Sequence, residues 1–150
     1  MGTLKDLLTT DMRAALKARD ELTTSTLRMA LAAIGKAEVA GAAKRELTDD
    51  EVLAVLAKEA KEHRESADAF AGAGRADQAA KEHTEEEILR RYLPEQLDDA
   101  ELATLVAGAL AAGGFSSVRD MGPAMRAVQA VVAGRAEGRR VADEVRRKLG

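Results

Sequence analysis

The side chains that could do chemistry in this chain are few. There is no cysteine among the 150 residues, so thiolate nucleophiles, disulfides and Cys-ligated metals are excluded together. The hydroxyl nucleophiles on offer are Ser25, Ser66, Ser116 and Ser117. None lies in a Gly-x-Ser-x-Gly turn, and no sequence pattern pairs one with a histidine. Walker and dinucleotide glycine loops are also absent. The imidazoles are His63 and His83. Glu59 precedes the first by four residues and Glu87 follows the second by four, so each pair can share a helix face. The tighter ligand spacing of zinc or di-metal centres is missing. Both histidines therefore read as surface or boundary residues, and Glu85-Glu86-Glu87 reads as a solvated helix face. No catalytic residue, metal ligand or cofactor is expected.

The other chemistry on offer is cationic. Arg119, Arg126, Arg135, Arg139, Arg140, Arg146, Arg147 and Lys148 lie in the last third of the chain. The net charge is −3, yet residues 119–150 carry 8 basic against 4 acidic side chains. Arginine binds phosphate through paired donors. Arg135, Arg139 and Arg140 flank the turn Gly134-Arg135-Ala136-Glu137-Gly138, whose amides could also approach an anion. Such a patch would bind RNA by counterion release with little sequence information. Aromatics make up only 2% of the chain, which argues against a stacking platform for single strands and favours folded RNA. The competing reading is a solvated arginine surface with cations near helix C-termini.

These residues must be carried by helices. Hydrophobic residues are 46% of the chain, many of them Ala, and no segment alternates with period two. Leu4, Leu8, Met12, Ala15 and Leu16 form a first stripe beginning near Thr3. Thr23-Thr24-Ser25-Thr26 offers N-caps for a second helix with Leu27, Ala30, Leu31 and Ile34 on its face. Thr48-Asp49-Asp50-Glu51 is a capping box for a third, carrying Val52, Val55, Leu56, Ala60, His63, Ala67 and Phe70. Ala71-Gly72-Ala73-Gly74 ends it, and a fourth helix runs roughly from Asp77 to Tyr92, stopped by Pro94. Tyr92-Leu93-Pro94 reads as an apolar plug where two domains meet. Asp98-Asp99-Ala100-Glu101 starts a fifth helix, Ser117 with Asp120 a sixth, and Val141, Val145 and Leu149 mark a last short one. The expectation is an all-α chain. Residues 1–94 form an N-terminal helical bundle, and residues 95–150 form a small three-helix tail domain. Lys5, Asp6, Asp11 and Arg13 interrupt any leader-like apolar run, so a cytoplasmic location and no membrane partner are expected.

Several segments then become familiar together. Ala73-Gly74-Arg75-Ala76-Asp77 precedes a Glu-rich helix that closes in Ile88-Leu89-Arg90-Arg91-Tyr92-Leu93-Pro94-Glu95-Gln96-Leu97. Asp120-Met121-Gly122, Met125 and Gly134-Arg135-Ala136-Glu137-Gly138 follow, and Leu27-Arg28-Met29 fits as well. In that order these resemble the YqeY family. The resemblance implies a helical bundle followed by a tail similar to the one that ends the B subunit of the aspartyl/glutamyl-tRNA amidotransferase. That tail contacts transfer RNA away from the chemistry. By this kinship it implies a link to carbon–nitrogen ligation with glutamine as amido donor, without intrinsic activity in this chain. It also implies tRNA as the RNA that the arginine set, Arg119, Arg126, Arg135, Arg139, Arg140 and Arg146, would contact; the alternative is a protein partner in tRNA amidation or translation. The chain departs from the pattern at Pro123, where a basic residue is usual, at Gln129 and Val131, and at Glu137, where Asp is usual.

Overall fold

The computed structural model describes residues 3–150. Seven α-helices and one 3-10 turn are found among them, and no strand. They fall into two compact units that part between Leu93 and Pro94.

The first unit contains α1 (Leu4–Lys17), α2 (Glu21–Glu38), α3 (Asp49–Gly72) and α4 (Ala76–Arg90). α1 and α3 each open with a complete capping box, Thr3 with Asp6 and Thr48 with Glu51. The start of α2 differs from expectation. Asp20 caps it by accepting from the Thr23 amide at 3.1 Å, so the Thr/Ser run lies inside the helix. There the hydroxyls of Thr24 and Thr26 donate back to the carbonyls of Asp20 and Leu22, both at 2.7 Å. Leu8, Leu27, Ala30, Ile34, Val52, Leu56, Ala60, Ile88 and Leu89 form the core. Tyr92 and Leu93 pack against this same core. α3 outruns it: the C-terminal half of α3 and the start of α4 form a hairpin whose inner face continues with Ala67 and Ala79. α4 ends at Arg90, a turn earlier than Pro94 requires.

The second unit contains α5 (Asp99–Gly113), the 3-10 turn Val118–Asp120, α6 (Met121–Val132) and α7 (Gly138–Leu149). Asp98 and Glu101 complete the box that starts α5. Pro123 is the third residue of α6, in the first turn, where its missing N–H breaks no helical bond. Glu137 precedes α7 without a side-chain cap, as a longer carboxylate does where Asp would reach. Val106, Val128, Val132, Val141 and Val145 are fully buried at the centre of this unit. No single helix among the described residues is long and apolar enough to cross a membrane.

Candidate functional site

The second unit spends some of its cations on its own structure. The Leu97 amide donates to the Arg135 carbonyl at 2.7 Å. Nη2 of Arg140 donates to the Leu97 carbonyl at 3.1 Å and to Oδ1 of Asp99 at 2.9 Å. Gln96 Nε2 adds a bond to the Gly134 carbonyl at 3.3 Å. The entry segment of the unit is thus fastened to the turn before α7. In that turn the Arg135 amide already donates to the Val132 carbonyl at 3.0 Å. Arg140 accordingly fastens Leu97 and Asp99 within the unit, with its side chain still 34% exposed.

The remaining arginines divide by helix phase. Val141, Val145 and Leu149 take the inner face of α7. Arg139 and Arg146 project from the opposite face, two turns or about 10 Å apart along the axis. Arg146 lies 3.3 Å from Asp143, a pair whose side chains are 62% and 65% exposed. Arg147 and Lys148 share Glu144, at 2.6 and 3.8 Å. The Glu144 carboxyl is held below its ordinary range by the bond from Arg147. Exposed pairs of this kind contribute about 0–1 kcal/mol, so a phosphate can displace them at little cost. Arg119 on the 3-10 turn, Arg126 on the outer face of α6, and Arg139 are exposed. Among the described residues none of these three is paired with a carboxylate. The six arginines expected to act together therefore play three parts. Arg140 holds Leu97 through its guanidinium and Arg135 through its backbone carbonyl alone, Arg146 is loosely paired, and Arg119, Arg126 and Arg139 are open to solvent. The basic bias is local, because residues 94–150 carry 8 basic and 8 acidic side chains.

The first unit gathers titratable groups that sequence reasoning left dispersed. His63 on α3 is buried, and its Nδ1 lies 2.7 Å from Oε2 of Glu82 and 3.4 Å from Oε2 of Glu85, both on α4. Glu85 and Glu86 are buried as well, which overturns the expectation of a solvated acidic face. Glu86 is compensated from its own helix by Nε of Arg90 at 2.6 Å, with Nδ1 of His83 3.5 Å away. Glu59, one turn before His63, has its carboxyl raised above the ordinary range by partial burial, with Glu62 adding to the effect and His63 opposing it. The signal was present in helix phase. Ala79, Glu82, Glu86 and Leu89 recur at helical spacing, as do Glu85 and Leu89, which sets these glutamates on the inner face of α4.

Neither histidine is hydrogen-bonded to a serine among the described residues. Oγ of Ser25 donates to the Leu22 carbonyl, and the Ser116 and Ser117 amides donate to Asp120.

The family model described as Yqey-like protein matches residues 5–149. The chain belongs to the YqeY-like family. The match covers both units of this YqeY-like protein, from the start of α1 to the end of α7. No curated protein matches it.

Proposed function

We propose that this YqeY-like protein is a non-catalytic, tRNA-associated protein whose second unit docks on folded RNA. The observation that carries the reading is the trio Arg119, Arg126 and Arg139, exposed and without carboxylate partners among the described residues. Arg146 joins them once Asp143 is displaced. Four phosphate contacts give a salt dependence of log K on log salt of about −3 to −4, and affinity that depends on RNA shape more than sequence. Kinship to the tail of the tRNA amidotransferase B subunit names transfer RNA as the folded RNA to try first. Filter binding of a tRNA transcript across a salt series tests this. The triple variant with Arg119, Arg126 and Arg139 changed to Ala should bind at least tenfold more weakly at low salt, with a slope shallower by about 3. Wild-type protein that fails to bind tRNA even at about 50 mM salt rejects the reading.

A second reading, a protein-interaction module accessory to tRNA amidation or translation, draws on the first unit. Leu7 and Leu16 on α1 and Met29 on α2 are large apolar side chains left about half exposed. A partner retained by the triple arginine variant favours it. Glutamine-dependent carbon–nitrogen ligation has the least support, because the imidazoles face carboxylates and no thiol exists. Glutamine hydrolysis by the purified chain would revive it.

A further inference from the structure

We propose that His63, Glu82 and Glu85 form a binding site for one divalent transition-metal ion that clasps the α3–α4 hairpin. One nitrogen and two carboxylate oxygens from these residues all lie within 4.8 Å of one another. The side chains of His63 and Glu85 are only 10% and 8% exposed.

The second observation concerns donors. A ring nitrogen carries one proton at most, and it can serve one carboxylate well. Glu82 takes the short contact at 2.7 Å. Glu85, the more buried of the two, stands at 3.4 Å from the same nitrogen. Buried carboxylates are ordinarily met by a cation or by several donors. Of the two cations on α4, Arg90 is engaged with Glu86 and Lys81 is exposed. Two carboxylates thus converge on one ring nitrogen, and a +2 ion between the three groups would answer both at once.

The donor set selects the kind of ion. Calcium takes six to eight oxygens, whereas one imidazole with two carboxylates suits zinc, ferrous iron or manganese. Metal–ligand bonds of about 2.1 Å in a tetrahedron set the ligands about 3.4 Å apart. The His63–Glu85 separation already has this value, and His63 and Glu82 need open by less than 1 Å. Glu82 is the more accessible member, with its side chain 22% exposed, so it marks the entry side. Three protein ligands leave at least one position for water or for a group from a partner. The location gives the ion a structural task. Here the hairpin has outrun the Leu/Ile core and packs small residues, Ala67 and Ala79, so a bridge between helices adds most where packing adds least.

The test uses the tag-free, chelator-treated full chain. Titration with Zn²⁺ against a chromogenic chelator should show one saturable site per chain. Co²⁺ should give visible d–d absorption bands in the intensity range of four- or five-coordinate sites. Glu85→Gln and Glu82→Gln should each weaken binding at least tenfold, and His83→Gln, an exposed imidazole outside the cluster, should leave it unchanged. Glu82→Gln keeps the test valid if the buried variant misfolds, with circular dichroism confirming helicity. Mn²⁺ binding in place of Zn²⁺ with the same variant dependence also supports the site. No saturable binding of either ion, wild-type affinity in both glutamine variants, or loss of binding in His83→Gln overturns it.

Discussion

Arg140 donates to the backbone carbonyl of Leu97 at 3.1 Å, reaching back across 43 residues. With the Leu97 amide given to the Arg135 carbonyl, both backbone groups of this buried leucine are satisfied by the far end of the same unit. Arg140→Ala leaves that carbonyl without the guanidinium and should destabilise the second unit by about 1–2 kcal/mol in urea unfolding. Asp99→Ala should cost under about 1 kcal/mol, because the Asp99 side chain is almost fully exposed. An Arg140→Ala protein of unchanged stability but lost RNA affinity would contradict the clasp.

Tyr92 closes the first unit in a comparable way. Its Oη donates to Oδ2 of Asp11 on α1 at 2.6 Å. Burial, with the carboxylate bond second, pushes the phenol well above its ordinary value of 10. The folded state therefore holds the proton more tightly than the unfolded chain. The stabilisation is complete below pH 10 and is lost as pH rises toward the folded value. The chain has one tyrosine and no tryptophan, so phenolate absorbance near 295 nm reports this group alone. Ionisation should be delayed in native protein and normal in denaturant. Tyr92→Phe should cost about 1 kcal/mol.

Glu51 works in the opposite direction. Its bond from the Arg45 guanidinium, followed by the Thr48 amide of the capping box, lowers its carboxyl from 4.5 to about 2. A depressed carboxyl stabilises above its unfolded value, and that contribution drains away as pH falls from 4.5 through 2. Glu51→Gln can keep the capping box while losing the charge pair. The variant should show a smaller loss of urea midpoint than wild type between pH 5 and pH 2, measured by circular dichroism. Equal acid slopes would refute the assignment.

Two glycines near each other should respond with opposite signs. Gly108 lies within α5, and a Cβ there meets nothing within 4 Å. Gly108→Ala should gain about 0.5–1 kcal/mol from reduced unfolded-state freedom. Gly114 ends α5 in the left-handed region at φ 69°, so Gly114→Ala should lose about 1–2 kcal/mol. Thermal melts of the two variants should move to either side of wild type.

The capping boxes show what could be read directly from residue order. Thr48 with Glu51, and Asp98 with Glu101, complete themselves within four residues and need no partner from elsewhere. The all-α architecture and the inner stripes of α3 and α7 were legible for the same reason, helical period being a local property, whereas Leu16, expected on the inner stripe of α1, is 56% exposed. The Thr/Ser run before Leu27 is ambiguous by itself because a hydroxyl can cap a helix or bond back to the preceding turn, and here Asp20 takes the cap.

The chemistry of the sites was decided at longer range. Whether Glu85 is solvated or buried depends on α3 lying against α4, and His63 on α3 stands at least 19 residues from the glutamates it meets. Whether Arg140 is an open cation or a clasp depends on Leu97, 43 residues away. Charge and helix phase are carried by the residue itself. Desolvation and partner choice belong to the pair, and only tertiary packing brings the second member within reach.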